Sequence, residues 1–353
     1  MSIRVGVPTE IKPQEGRVAL TPSGAAELVE MGARVCLQAG AGYGSGYNDD
    51  AYAAVGVNVL DAAEAVYREA DILLKVKEPI GQELDMLQPR QRLFSFLHLA
   101  PNPELTKRLC EIGLTAIAFE TVVDGGNLPI LQPMSEIAGR IAVQVGTHLL
   151  HTPMGGAGKL LGGVPGVGRG DVVVLGAGHA GGSAARLAAA VGAQVTVFDL
   201  NPQRLGEMQA AAPNIIARYA NGEDIRNAIQ YADLLIGAVL LPGAAAPRLL
   251  SRGDIATMVD GSVVVDISVD QGGCIETTRP TTYDEPTYRV DGVTHFCVTN
   301  MPGAVPRTAT QALSGAMLPY LKTLLREDWS ESAVLREAVN VENGRVVHPA
   351  LIG

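Results

Sequence analysis

Short apolar runs alternate with amphipathic stretches along most of the chain. This is the pattern of a mostly parallel sheet whose faces are covered by helices. In the first third, Arg4–Pro8, Arg34–Gln38, Val57–Leu60, Ile72–Lys77, Arg92–His98 and Thr115–Thr121 read as strands. Helical spacing begins at Pro22, near Asp50, at Ala62 and at Pro103. Thr21-Pro22 supplies a helix start, Thr as cap and Pro in the first turn, where its missing N–H is harmless. Met134 to Leu150 predicts a long helix, and the glycine-rich TPMGGAGKLLGGVPGVGRGD that follows lacks periodicity and reads as a connection between domains. Alternation resumes with strands at Val172–Leu175, Val195–Asp199, Ile215–Tyr219, Leu234–Val239, Val263–Ile267 and His295–Val298. After Val305 the spacing in QALSGAMLPYLKTLL turns helical, which predicts a crossing back to the first domain.

The expected architecture is therefore α/β: two Rossmann-like domains with doubly wound, mostly parallel sheets. A nucleotide domain (residues 135–304) is inserted into a discontinuous substrate domain (1–134 and 305–353). At 353 residues with 47% hydrophobic content, the chain can bury two cores.

Within the second domain, VVVLGAGHAGGSAARLAAAVGAQVTVFD orders an apolar strand, Gly176, Gly178 and Gly181, a small-residue helix, a second strand and Asp199. That order is a dinucleotide-binding fingerprint. Gly176 permits the tight turn, Gly178 lets backbone approach a pyrophosphate, and Gly181 lets the helix lie close to the strand. Asp199 is placed to accept from both ribose hydroxyls and to repel a 2′-phosphate, so NAD is expected rather than NADP. An ordinary glycine turn in a βαβ unit would leave Asp199 unexplained.

Charge narrows the partners. A net charge of −10 without basic runs argues against nucleic acid and anionic membranes. MSIRVGVPTE enters a strand pattern directly and no stretch approaches a membrane span, so a cytoplasmic protein is expected. Cys36, Cys110, Cys274 and Cys297 are scattered and read as isolated thiols. His148 and His151 have helical spacing without a third ligand nearby, so no metal site is expected.

Ligands of open α/β sheets sit beyond the carboxyl ends of strands, so polar residues ending apolar runs are the candidates for chemistry. Three occur in succession in the first domain: Lys77, His98 and Glu120. Each alone has an ordinary explanation as a solvated strand end, but the succession does not. Arg17 lies in the polar loop PTEIKPQEGRVALTP, where its planar fork suits a small carboxylate, against the alternative of a surface arginine. In VVVDISVDQGGC, Asp270 follows a strand on a loop expected to face the nicotinamide. Asn300 and Met301 follow the last apolar run, where backbone and amide groups can hold that ring.

Together these segments closely resemble the alanine dehydrogenase family, whose relatives include transhydrogenase nucleotide-binding subunits and lysine-forming saccharopine dehydrogenases. The resemblance is carried in order by PTEIKPQEGRVALTP, QAGAGYGSGY, LLKVKEP, FLHLA, PMSEIAGR, GGVPGV, GAGHAGGSAAR, GAVLLPGAAAPRL, VVVDISVDQGGC, RPTTYDEPT and NMPGAVPRTAT. It implies NAD-dependent, reversible deamination of L-alanine to pyruvate and ammonia by a homo-oligomer, typically a hexamer. It also implies roles: Arg17 and Lys77 on the substrate carboxylate and carbonyl, His98 as acid/base, Asp270 as its partner, Glu120 supporting Lys77, and Leu131 and Met134 on the substrate methyl. Cofactor contacts are implied at Ser135, the His179-Ala180 backbone, Asp199, Arg204, Val239, Leu240, Ile267, Ser268, Val269, Asp270, Arg279, Val298, Thr299, Asn300 and Met301, with Asn300 also near the substrate. Two departures stand out. Ala220 replaces a serine common near the adenine end, and the tail VENGRVVHPALIG is shorter than the family's C-terminal helix. The alternatives are a related amino-acid or opine-type dehydrogenase, a transhydrogenase-like NAD-binding subunit, and a catalytically silent NAD binder, for which Arg17, Lys77, His98 and Asp270 together have no physical need.

Overall fold

The computed structural model describes residues 2–239 and 246–352. Along the chain run β1 (Arg4–Val7), α1 (Pro22–Glu30), β2 (Arg34–Gln38), α2 (Asp49–Ala53), β3 (Asn58–Leu60), α3 (Ala63–Glu69), β4 (Ile72–Leu74), α4 (Glu83–Met86), β5 (Arg92–Ser95), α5 (Pro103–Ile112), β6 (Thr115–Ala118) and α6 (Gln132–Leu149). There follow β7 (Asp171–Leu175), α7 (His179–Ala190), β8 (Gln194–Asp199), α8 (Pro202–Ala211), β9 (Ile215–Tyr219), α9 (Gly222–Ile229), β10 (Leu234–Gly237), α10 (Arg252–Ile255), β11 (Val263–Asp266), β12 (Thr287–Val290) and β13 (Val293–Phe296). The chain closes with α11 (Pro306–Leu324), α12 (Ala333–Glu337), β14 (Val339–Glu342) and β15 (Arg345–Val346).

Two compact units result, Met1–Met134 with Gly303–Gly353, and Ser135–Pro302. Among the described residues the first holds a sheet of order β15-β14-β6-β5-β4-β1-β2-β3, and the second one of order β12-β13-β11-β10-β7-β8-β9. The expected doubly wound, mostly parallel sheets are present. Each contains the same run of six parallel strands, in which the order reverses between β1 and β4 in one and between β7 and β10 in the other. Ligands of such sheets bind beyond the strand ends at that reversal. The loop carrying Arg17 leaves β1 and Lys77 follows β4; the glycine loop leaves β7 and Val239 follows β10.

The parallel strands are buried apolar runs: Ile72, Leu73, Leu74, Leu93, Phe94, Val172 to Leu175 and Val263 to Val265 are almost entirely inaccessible. Helix starts follow local chemistry. The Thr21 hydroxyl accepts from the Gly24 N–H at 3.1 Å, with Pro22 in the first turn of α1, as the sequence predicts. α11 belongs to the first unit, where the Thr310 and Ser314 hydroxyls accept from the Val18 and Thr21 amides at 3.0 and 3.1 Å.

Two expectations are corrected. The glycine-rich stretch after His151 is not a connection between domains, because it lies inside the second unit and the units divide within α6, after Met134. Its glycines serve close backbone packing instead: a Cβ on Gly156 would lie 2.2 Å from the Leu149 carbonyl oxygen, and one on Gly162 2.1 Å from that of Val191. The runs at Ile72–Lys77 and Arg92–His98 are strands only to Leu74 and Ser95, for reasons that define the site. The tail, to which the sequence pattern assigns no element, is extended. It supplies β14 and β15, antiparallel strands at the edge of the first sheet, with β14 paired to β6 across a bulge between Val339 and Val341.

Candidate active site

In the first unit, Arg17 is not the surface arginine of the alternative reading. It is 3% exposed and held in a two-pronged pair with Glu15, Nε lying 2.7 Å from Oε1 while Nη2 meets Oε2. Its Nη1 lies 3.3 Å from the Met134 sulfur, which joins two of the expected substrate residues. A bidentate carboxylate partner keeps the guanidinium plane fixed. Glu15, two residues from Arg17, was missed by the sequence reading, although the EGR triplet carried its signal.

Lys77 is half-buried just past β4. Burial, reinforced by the positive charge of Arg17, lowers its pKa from the ordinary lysine value, so Arg17 and Lys77 share one electrostatic environment. Its backbone is held by a group the sequence concealed. Glu10 Oε1 accepts from the Val76 N–H at 2.6 Å and Oε2 lies 3.4 Å from the Lys77 N–H. Lys75, inside an apolar run and 1% exposed, sits between Glu10 at 3.2 Å and Glu83 at 2.6 Å, and the Tyr67 hydroxyl donates to Glu83 at 2.9 Å. Burial works against the Lys75 charge, but the two flanking carboxylates outweigh it and raise its pKa. Burial also raises the Glu10 pKa, against the opposing pull of Lys75. A lysine within an apolar strand was the available signal, since such a residue is rarely buried unless paired.

His98 is half-buried with φ of +48°, a left-handed backbone uncommon outside glycine. Its ring stacks on that of Phe96, with centroids 6.0 Å apart and planes 13° from parallel. Glu120 accepts from the Leu97 and His98 N–H groups, at 3.1 and 2.6 Å from Oε1. Leu131 is half-buried, one residue before α6. Arg17 thus touches Met134 and acts on Lys77 through its charge, while Glu120 is bonded to the His98 backbone.

In the second unit the glycine motif has the geometry its spacing predicts. Gly176 has φ of +97°, and a Cβ on Gly181 would lie 1.8 Å from the Gly176 carbonyl oxygen, so the first turn of α7 rests directly on the glycine turn. Gly178 caps α7, and a Cβ there would find nothing nearer than the Arg204 guanidinium at 3.8 Å. An approachable backbone at a helix N-terminus is the arrangement an anionic pyrophosphate requires, so these residues fit a dinucleotide. His179 and Ala180 open α7, with the His179 side chain exposed. Asp199 ends β8, its Oδ2 accepting from the Ala177 N–H at 2.6 Å and its Oδ1 from the Asn201 N–H at 2.7 Å. Ser135 is half-buried in the first turn of α6, and that helix approaches α7 so closely that a Cβ on Gly139 would lie 2.1 Å from the Ala180 carbonyl oxygen. Val239 follows β10, and Leu240 lies outside the described residues. Ala220 donates its N–H to the Asp199 carbonyl at 3.0 Å.

The loop after β11 carries Ile267, Ser268, Val269 and an exposed Asp270. Asp266, fully buried, organises it by accepting from the Ser268 N–H at 2.9 Å, the Cys274 N–H at 3.1 Å and the Thr278 hydroxyl at 2.7 Å. Burial raises the pKa of this carboxyl against those donors. Arg279 lies over the Tyr288 ring at 4.2 Å, and Tyr288 stacks on the buried His295 at 5.1 Å. Val298 bridges to Thr281, Thr299 is exposed and Asn300 half-buried, and the Met301 carbonyl accepts from the Tyr283 hydroxyl at 2.9 Å. Asp266 and Tyr288 carried no spacing signal that distinguishes them from neighbouring residues.

Comparison with known proteins agrees with the geometry. Residues 6–138 match the model of the alanine dehydrogenase/PNT N-terminal domain and residues 142–349 that of its C-terminal domain. The alanine dehydrogenase of Mycolicibacterium smegmatis is 47% identical over 98% of this chain and 95% of its own length. A solved L-alanine dehydrogenase superposes with a TM-score of 0.95 at 47% identity, covering 99% of this chain and 98% of the other. The transhydrogenase structure from Sinorhizobium meliloti gives a TM-score of 0.85 at 27% identity, covering 98% and 99%. The chain therefore belongs to the alanine dehydrogenase/PNT family.

Proposed function

We propose that the chain catalyses the reversible NAD-dependent conversion of L-alanine and water to pyruvate and ammonia. The observation that carries this reading is the 47% identity to an alanine dehydrogenase across 98% of the chain. The residues fit the chemistry. Arg17, its plane set by Glu15, takes the substrate carboxylate, Lys77 takes the carbonyl of pyruvate, and Leu131 and Met134 pack on the methyl. Fixing a small substrate in this way can supply roughly 7–11 kcal/mol of barrier reduction in favourable cases. Ser135, the His179-Ala180 backbone, Asp199, Arg204, Val239, the 267–270 segment, Arg279 and the 298–301 segment hold NAD, with Asn300 also meeting the substrate. NAD, when bound, accepts the hydride from the substrate Cα. The resulting iminium is attacked by water; His98 removes the water proton and moves protons between the carbinolamine oxygen and the departing nitrogen. General acid–base catalysis by a positioned imidazole is typically worth about 10²–10⁴-fold.

The chain is further proposed to be a cytoplasmic homo-oligomer, a hexamer in keeping with the resemblance. The exposed apolar residues Leu160, Val164 and Val167 in the glycine-rich stretch support self-association. No helix among the described residues is long and apolar enough to cross a membrane.

The test is NADH formation from NAD with a panel of amino acids, run beside NADH consumption with pyruvate plus ammonia. Activity with L-alanine above all others is the expected result. Preference for another amino acid, or NAD binding without turnover, overturns the reading and points to a related dehydrogenase or a transhydrogenase-like subunit respectively.

A further inference from the structure

We propose that Glu120 is a positioning residue for His98. Its carboxylate holds His98 in the left-handed conformation that sets the direction of the imidazole, and the C-terminal strand β14 braces the turn that presents it. The inference rests on His98 being the acid/base group.

The need for such a residue comes from the way β5 ends. Ladder bonds between β4 and β5 persist as far as Lys75 N–H to Phe94 O and Phe96 N–H to Val76 O, each at 3.2 Å. Beyond them the Leu97 and His98 N–H groups have no strand partner, and a buried amide must find one. Glu120 supplies it, with Oε1 at 3.1 Å from Leu97 N and 2.6 Å from His98 N and Oε2 at 3.3 Å from Leu97 N. Charge-assisted bonds of this kind are stronger than neutral ones. They act on a residue whose φ of +48° persists only where its surroundings over-determine it.

The turn that carries Glu120 is itself clamped from two sides. Phe119 meets Phe94 and Phe96 edge-to-face at 4.5 and 5.1 Å, and the Phe96 ring in turn stacks on His98. On the other side the Thr121 hydroxyl lies 3.0 Å from the Ala338 carbonyl and accepts from the Asn340 side-chain amide at 2.8 Å. Asn340 lies at the bulge in β14, and a bulge re-aims a side chain out of its regular alternation. A chain of contacts therefore runs from Asn340 through Thr121 and Glu120 to the His98 backbone, joining residues more than two hundred positions apart without requiring Glu120 to touch substrate.

The experiment compares Glu120→Leu, which removes the acceptors, Glu120→Gln, which keeps one oxygen at the same reach, and His98→Ala. Turnover, the pyruvate KM, NADH affinity and amide exchange at Leu97 and His98 are measured for each. A misplacement of about an ångström costs on the order of 100-fold, so Glu120→Leu is expected to lower kcat by roughly 10- to 100-fold. Pyruvate KM and NADH affinity should stay within about threefold, exchange of the two amides should accelerate, and Glu120→Gln should recover most of the loss. Normal kcat in Glu120→Leu beside an inactive His98→Ala overturns the inference while leaving the proposed function intact. Normal turnover in His98→Ala overturns the acid/base reading instead, and unchanged amide exchange in Glu120→Leu then overturns the positioning role on its own. If Glu120→Leu does not fold, native amide exchange at Leu97 and His98 together with native kcat in Asn340→Ala overturns it.

Discussion

Gly178 and Gly181 lie three residues apart in one motif, yet the structure assigns them different work, and alanine at each separates folding from cofactor binding. At Gly181 the new Cβ would start 1.8 Å from the Gly176 carbonyl oxygen, and 3.2 Å from the Ala238 Cβ. The nearest atom belongs to the main chain of a tight turn, so no flexible side chain can yield, and α7 must lift from the turn by more than an ångström. Overpacking of this sort costs about 1–3 kcal/mol, and a backbone clash lies at the upper end. For a unit of this size about 3 kcal/mol corresponds to a fall of roughly 6–12 °C in Tm. At Gly178 the Cβ would find its nearest neighbour at 3.8 Å, and the φ of −68° is one that alanine adopts freely. The cost to the fold is the loss of a favoured N-cap, below about 1 kcal/mol. That Cβ nevertheless occupies the space through which the backbone is proposed to approach the pyrophosphate. Overpacking of about 1–3 kcal/mol against the ligand weakens NADH by about 5- to 150-fold. Thermal unfolding without cofactor and fluorescence titration with NADH give the two numbers for each variant. Native NADH affinity in Gly178→Ala would refute the cradle, and a native Tm in Gly181→Ala would refute the close approach of α7 to the turn.

His98→Ala should lower turnover by about 10²–10⁴-fold with NADH affinity retained in a direct titration; near-native turnover removes the imidazole from the mechanism. Arg17→Lys keeps the charge but gives up the fork that Glu15 orients, so steady-state kinetics should show a higher pyruvate KM with an unchanged NADH KM. An unchanged pyruvate KM contradicts the assignment. Burial, with Arg17, lowers the Lys77 pKa, so the folded chain releases that proton at a pH where the unfolded chain still holds it. The unfolded state then binds more protons, so the Lys77 contribution to stability increases as pH rises through the folded-state value toward the ordinary lysine value. Over the same window the proposed cationic contact to the substrate is lost, and a pH series should show pyruvate KM climbing before the ordinary lysine value is reached. Lys77→Arg should abolish that climb, and a flat native profile up to that value would count against Lys77 as the contact.

The alternation of strands and helices was legible because parallel strands buried on both faces must be continuous apolar runs, as in Val172–Leu175 and Val263–Val265. The glycine motif was legible for a similar reason, since each glycine answers to a contact within the motif. Strand ends were not. Lys75 and Val76 continue the apolar run of β4, but the amides past the ladder pass to Glu10 and Glu120, far away in sequence, and no local pattern announces such a partner. β14 escaped for the same reason: its register is set by β6, more than two hundred residues earlier. Arg17 was recognised as chemistry by its residue type, but its partner Glu15 and its burial followed only from the packing of the loop.

Four acids at the carboxyl ends of the strands share one device. Glu10, Glu120, Asp199 and Asp266 each turn a carboxylate onto backbone N–H groups that the sheet no longer serves, at Val76, at Leu97 and His98, at Ala177 and Asn201, and at Ser268 and Cys274. A polar residue ending an apolar run is thus first a means of ending a strand without orphaned amides, and only then a candidate ligand. The two roles are compatible because each carboxylate oxygen has two lone pairs. At Asp199, Oδ2 accepts from the Ala177 N–H and Oδ1 from the Asn201 N–H, which leaves acceptor capacity on both for ribose hydroxyls while fixing the direction from which they must arrive. The same bonds tie Asp199 to Ala177, between Gly176 and Gly178, so the acid that is proposed to choose between NAD and NADP also holds the turn proposed to bind the pyrophosphate.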